Sequence, residues 1–177
     1  QDFLPSHGII WRENPAQIVE QYLKWADSYQ EDQITFIYDT MWNSTRKMAE
    51  AIAEGIHEVS PSTVIKLMNS AKYDKNDIIT EVFRSKAILV GSPTINNGYL
   101  FSIGGIVEMI KGLKFKGKSA AAFGSYGWSG EVVKQLTKAL EESGFKIVDN
   151  GHRSLWIPDE KELDVCREYG RQFVKSL

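Results

Sequence analysis

The chain has 177 residues, 42% hydrophobic and 25% charged, with 21 basic against 23 acidic side chains and a net charge of −2. That balance suits one globular α/β domain; with no block of Lys and Arg it argues against a nucleic-acid surface or a polybasic membrane patch. Cys166 is the only cysteine, so no intrachain disulfide forms and a reducing, cytoplasmic setting fits best.

In chain order, the opening "QDFLPSHGIIWRENP" is too apolar for a flexible tail and starts with Gln1, so the chain is expected to be a piece of a longer polypeptide. Asn14 is placed to N-cap a helix with Pro15 at its first position, and Ile18, Val19, Tyr22, Leu23 and Trp25 give it an apolar stripe to about Tyr29. Gln30 to Gln33 is the only linker candidate. From Ile34 strand-like segments at 34–39, 63–68, 86–91, 119–124 and 145–148 alternate with helical periodicity at about 44–59, 74–84, 99–112, 129–143 and 159–175. "AILV" and "AAAF" are continuous apolar runs, as in a parallel sheet covered on both faces. No apolar run reaches the ~18 residues of a membrane helix. The pattern predicts a doubly wound α/β sheet.

In such a sheet a ligand binds beyond the carboxyl ends of the strands, at the switch in strand order. That rule selects "TMWNST" (40–45), "SPTINNG" (92–98) and "SYGWSG" (125–130). In the first, Thr40, Asn43, Ser44 and Thr45 offer neutral donors at a helix amino end, which is a seat for an anion. The loop has no lysine and matches neither the P-loop nor the dinucleotide pattern. A single monoester phosphate remains, against the plainer reading that Ser44 or Thr45 merely caps the helix. Asn96, Asn97 and Gly98 tolerate left-handed backbone beside a flat ligand, and Tyr126 and Trp128 around Gly127 offer ring faces. Trp128 could instead be a core aromatic at a helix start. Phosphate nest, peptide edge and aromatic platform together describe a flavin mononucleotide site.

On "SHGIIWRENP", "YDTMWNST", "GSPTINN" and "FGSYGWSGE", the sequence resembles the flavodoxin-like module of the flavodiiron proteins, and among them the flavorubredoxins. The resemblance implies a flavodoxin-like three-layer α/β/α sandwich with a five-stranded parallel sheet in order 2-1-3-4-5, and noncovalent FMN. Its phosphate would rest on Thr40, Met41, Trp42, Asn43, Ser44 and Thr45. The isoalloxazine would lie against Ser92, Pro93, Thr94, Ile95, Asn96, Asn97 and Gly98, and against Ser125, Tyr126, Gly127, Trp128, Ser129 and Gly130. No catalytic acid or base is implied, because the flavin carries the chemistry. His7 matches a histidine that ligates the diiron centre near the end of a metallo-β-lactamase-like domain. Residues 1–30 would then be the remnant of that domain plus a linker helix, and 31–177 the flavin domain. The other ligands are absent, so iron binding is not expected here.

The implied role is electron transfer from a rubredoxin or rubredoxin-like domain to a diiron site that reduces nitric oxide or dioxygen, within a head-to-tail homodimer of the parent. This chain alone would only bind FMN and cycle its redox state. The alternatives are a free-standing flavodoxin-type carrier and a non-redox interaction domain. His57 reads as a solvated residue at a helix carboxyl end, His152 lies in a turn before a possible extra strand, and Cys166 reads as packing.

Overall fold

A computed structural model describes residues 2–6 and 8–177. Helix α1 (Ala16–Ala26) precedes strand β1 (Glu31–Tyr38), and the chain continues through α2 (Ser44–Val59), β2 (Val64–Asn69), α3 (Lys75–Arg84), β3 (Ser85–Gly91) and α4 (Phe101–Leu113). Then follow β4 (Ser119–Tyr126), α5 (Val132–Glu142), β5 (Lys146–Ile147), β6 (His152–Leu155) and α6 (Glu160–Lys175). Every strand pairing is parallel, and the order is β2-β1-β3-β4-β5, the arrangement expected of a flavodoxin-like sheet.

Two apolar layers flank the sheet because successive strand residues point to opposite faces. Ile34, Phe36 and Tyr38 join Leu89 and Phe123 in packing against α2 and α6. Ile37, Ile88, Val90, Ala120 and Ala122 pack against α3, α4 and α5. The fifth position differs from the single strand expected at 145–148. It is shared by β5, which pairs with Ser119 and Ala120, and β6, which pairs with Phe123 to Tyr126. The break falls at "DNG", where the Asp149 carboxylate turns back to accept from the Gly151 N–H at 2.6 Å. His152, after that turn, opens the extra strand.

The expected linker is not one, since Glu31 to Gln33 belong to β1. Gln33 is buried, and its amide donates to Glu81 Oε2 at 2.8 Å and Ser85 Oγ at 3.1 Å. A polar side chain with buried partners remains inside, so the "QEDQ" polarity was misleading. Asn14 also makes no side-chain cap; it contributes only its carbonyl, to the Gln17 N–H at 3.2 Å, and the helix starts at Ala16 after a Pro15 already in helical backbone. Much of the apolar stripe of α1 faces outward: Val19, Tyr22 and Leu23 are exposed, while Trp25 stacks on Phe83 with centroids 4.8 Å apart. His57 is exposed in the last turn of α2, and Cys166 is buried under α6 with its thiol pushed up to about 12 by burial. His7, read from the sequence as a stranded iron ligand, lies outside the described residues.

Candidate functional site

The parallel register brings the carboxyl ends of β1, β3 and β4 side by side, and backbone bonds stitch the loops that leave them. The Asp39 N–H donates to Gly91 O at 3.1 Å, Ser92 N–H to Phe123 O at 3.2 Å, and Thr94 N–H to Ser125 O at 2.8 Å. The buried Ser92 hydroxyl accepts from the Leu100 N–H at 3.0 Å, tying its loop to the start of α4. Thr45, fully buried, reaches the Ser125 hydroxyl at 3.4 Å.

These loops enclose a cavity of about 510 Å³. Its walls come from Thr40, Met41, Trp42 and Ser44, from Pro93 and Thr94, from Ser125, Tyr126, Gly127 and Trp128, and from Trp156 and Ile157. No lysine or arginine stands among these lining residues, so any anion held here relies on neutral donors and backbone. The amino end of α2 suits that task. Asn43, in left-handed backbone at φ 61°, makes no side-chain cap, and the first N–H groups of a helix have no intrahelical acceptor. The hydroxyls of Thr40 and Thr94 are buried without a hydrogen-bond partner in the protein. A buried donor without a partner is costly, so two on the walls of one cavity mark it as built for a polar ligand.

Other sequence-selected residues support the site from outside the cavity. Asn96 and Asn97 do take left-handed backbone, at φ 49° and 59°, and Ile95 and Gly98 close their turn with bonds of 3.0 and 2.8 Å. That turn is braced by Gln135, whose amide donates to Asn97 O at 2.6 Å. The Ser129 hydroxyl, beside Glu131, holds that carboxyl below the ordinary range, and Gly130 lies under the Tyr126 ring. Asn43 faces a second cavity of about 630 Å³, on the β2 side of the loop. Although larger, that cavity is walled by the charged Asp39, Arg46, Glu50 and Lys72; it shares Thr40 with the first, whereas the orphaned hydroxyl of Thr94 belongs to the first alone.

Trp156 and Ile157 are not evident from the sequence because β6, which they follow, has only four residues and comes after a turn. Carried to "LWIP" beyond His152, the strand-end rule finds them. Trp156 holds φ 60°, a conformation that costs a bulky residue about 1 kcal/mol or more. Its N–H donates to Tyr126 O at 2.7 Å, and its ring lies so close over Gly127 that a Cβ there would come within 2.8 Å. Trp128 is 91% exposed and Trp156 60%, with centroids 6.2 Å apart in an edge-on pair. Two indoles left open beside a cavity offer apolar faces to a planar ligand.

Fold and loop cluster together define a flavodoxin, and the family model for flavodoxin matches residues 36–170: the chain belongs to the flavodoxin family. It corresponds in particular to the flavodoxin-like domain of flavorubredoxins. It is 55% identical over 170 residues to the anaerobic nitric oxide reductase flavorubredoxin of Vibrio vulnificus, covering 96% of this chain and 34% of that protein. Among solved structures it superposes on rubredoxin oxygen:oxidoreductase from the anaerobe Desulfovibrio gigas with TM-score 0.87 and 31% identity, over 99% of this chain and 44% of that one. The flavodiiron protein of Giardia intestinalis gives TM-score 0.86 at 26% identity with the same coverage. The chain thus spans about a third of the length of the curated relatives it matches. FMN is the cofactor a flavodoxin domain implies, and the residues present fit it: orphaned hydroxyls and an uncapped helix end for the phosphate, indole faces for the ring.

Proposed function

We propose that this chain is the FMN-carrying electron-transfer module of a flavodiiron protein, passing electrons from a rubredoxin-type donor to a diiron site that reduces nitric oxide or dioxygen. The observation that carries the reading is the pair of buried, unpartnered hydroxyls of Thr40 and Thr94 beside the uncapped amino end of α2. Residues Thr40 to Thr45 hold the phosphate through neutral donors and the helix dipole. Residues Ser92 to Gly98 and Ser125 to Gly130 frame the isoalloxazine, and Trp128 and Trp156 shield it from water. When bound, FMN supplies reversible one- and two-electron transfer, which none of these side chains provides. The protein's part is to hold its donors on strand ends that cannot drift.

The names of the relatives support the wider role, which in the whole protein needs a metal domain beyond this chain. Residues 1–30 are the end of that domain and a linker helix, with His7 its ligand, and residues 31–177 are the flavin domain, in keeping with a family match that starts at residue 36. The exposed Trp42, Trp128 and Ile157 lining the cavity support an arrangement in which this face meets the metal domain of a second subunit in a head-to-tail dimer. The cytoplasm is the compartment that suits such a protein. Titration of the apo chain with FMN and riboflavin, followed by flavin fluorescence, tests the core of the reading. One-to-one binding of FMN with riboflavin at least about tenfold weaker is expected, since only FMN brings the charged phosphate. A folded chain that binds neither flavin overturns it.

A further inference from the structure

Two helix amino ends converge on the loop that follows β1. Neither has a side-chain cap, but at α4 a carboxylate from outside the helix takes the hydroxyl of a first-turn residue. Asp39 Oδ2 accepts from the Ser102 hydroxyl, in the first turn of α4, at 2.5 Å. Its Oδ1 accepts from the Thr40 N–H at 2.7 Å, and its own N–H is fixed on Gly91 O at 3.1 Å. The carboxylate is therefore clamped between the first peptide of the loop and the neighbouring helix. A bare negative charge beside a phosphate seat would be adverse. Here it stands where the α4 dipole favours an anion.

We propose that Asp39 is a positioning residue of the cofactor site; the inference rests on the FMN reading above. By taking up the Thr40 N–H and the Ser102 hydroxyl, it fixes the peptide from which the loop departs. Through the Ser102 hydroxyl it also holds its charge beside the amino end of α4 and away from that of α2, the seat proposed for the phosphate. Its action passes through the loop and not through contact with the flavin. The geometry of the two hydrogen bonds therefore matters more than the charge, and the phosphate should feel their loss more than the ring does.

FMN and riboflavin affinities of the wild-type chain, Asp39→Ala, Asp39→Asn and Ser102→Ala decide it. Asparagine keeps both bonds, with its oxygen accepting from Thr40 and its amide donating to Ser102. FMN should bind about tenfold more weakly to Asp39→Ala and about threefold more weakly to Ser102→Ala, with Asp39→Asn within about twofold of wild type and riboflavin unchanged throughout. Wild-type FMN affinity in Asp39→Ala overturns the proposal. So does an Asp39→Asn as weak as the alanine variant, or an equal loss for both flavins. If Asp39→Ala does not fold, Ser102→Ala and its rescue by Ser102→Thr carry the same decision, and failure of that rescue counts against the proposal. A wild-type chain that ignores FMN removes the cofactor reading and this inference with it; a wild-type chain that binds FMN beside indifferent variants removes only the inference.

Discussion

Lys118 shows how one side chain can join three elements. Its buried ammonium, at the start of β4, donates to Tyr29 O at 3.1 Å, Phe83 O at 2.9 Å and Ser85 O at 2.6 Å. Replacing it by methionine leaves those carbonyls without that donor, so Lys118→Met should lower stability by about 2 kcal/mol in urea unfolding at neutral pH. Burial lowers this lysine from 10.5 to about 8. Between those values the unfolded chain holds a proton that the native chain has released, so this group makes stability rise with pH. The gap between wild type and Lys118→Met should therefore widen from about pH 8 to 10, in urea midpoints measured at each pH. A constant gap would mean that the three carbonyls keep the ammonium charged throughout. Nothing in "KGKSAAAF" announces this role, because an isolated lysine between glycine and a strand reads as a solvated charge. The hydroxyl-rich "TMWNST" stands out for the opposite reason: a cluster of such residue types at a strand end points away from the core, and four of the six line the cavity.

At the scale of elements, the seat proposed for the phosphate depends on where α2 lies, and α2 is set by its crossing with α6. A Cβ on Gly55 would stand 1.9 Å from the Arg167 carbonyl oxygen, and one on Gly170 would stand 2.1 Å from that of Ile52. The two backbones touch there. Arg167 with Glu54 and Arg171 with Glu58 bridge the same helices on the outside, where such pairs add little. Gly55→Ala must push the helices apart and should cost about 2–3 kcal/mol, well beyond the helix propensity it gains. Gly105→Ala in α4, which meets nothing within 4 Å, should instead stabilise by about 0.5–1 kcal/mol. Thermal unfolding of the two variants checks both signs, and a neutral Gly55→Ala would show that the crossing is looser than the geometry requires. The helices and the first four strands were readable from apolar period and run length. The fifth was readable at 145–148, where β5 lies, but not as a strand shared with β6, because the "DNG" turn hides the continuation beyond it. Trp156 and Ile157 were lost to the sequence reading along with that strand.

For the molecule as a whole, the question is whether the segment before β1 belongs to the same folding unit. No residue of α1 is fully buried, and both apolar layers are complete without it. Its anchorage is the Trp25–Phe83 stack, an aromatic pair worth about 0.5–1.5 kcal/mol beyond its buried area. The residues of this region tied to the rest of the sheet are Tyr29, whose carbonyl accepts from Lys118, and Gln30, whose amide donates to Gly117 O at 3.5 Å. A chain starting at Tyr29 should therefore fold, lose about 1–2 kcal/mol of stability, and bind FMN within about twofold of the full chain. Linkage gives the same comparison a second readout. A ligand that binds only the native state at about a hundred times its Kd adds about 2.7 kcal/mol. Because the cavity and α1 share no residue, FMN should add that increment equally to both chains. A smaller increment in the truncated chain would mean that α1 stiffens the loops from a distance. An unfolded truncated chain would mean that the segment before β1 is part of the flavin domain itself, and that the boundary placed at residue 30 is wrong.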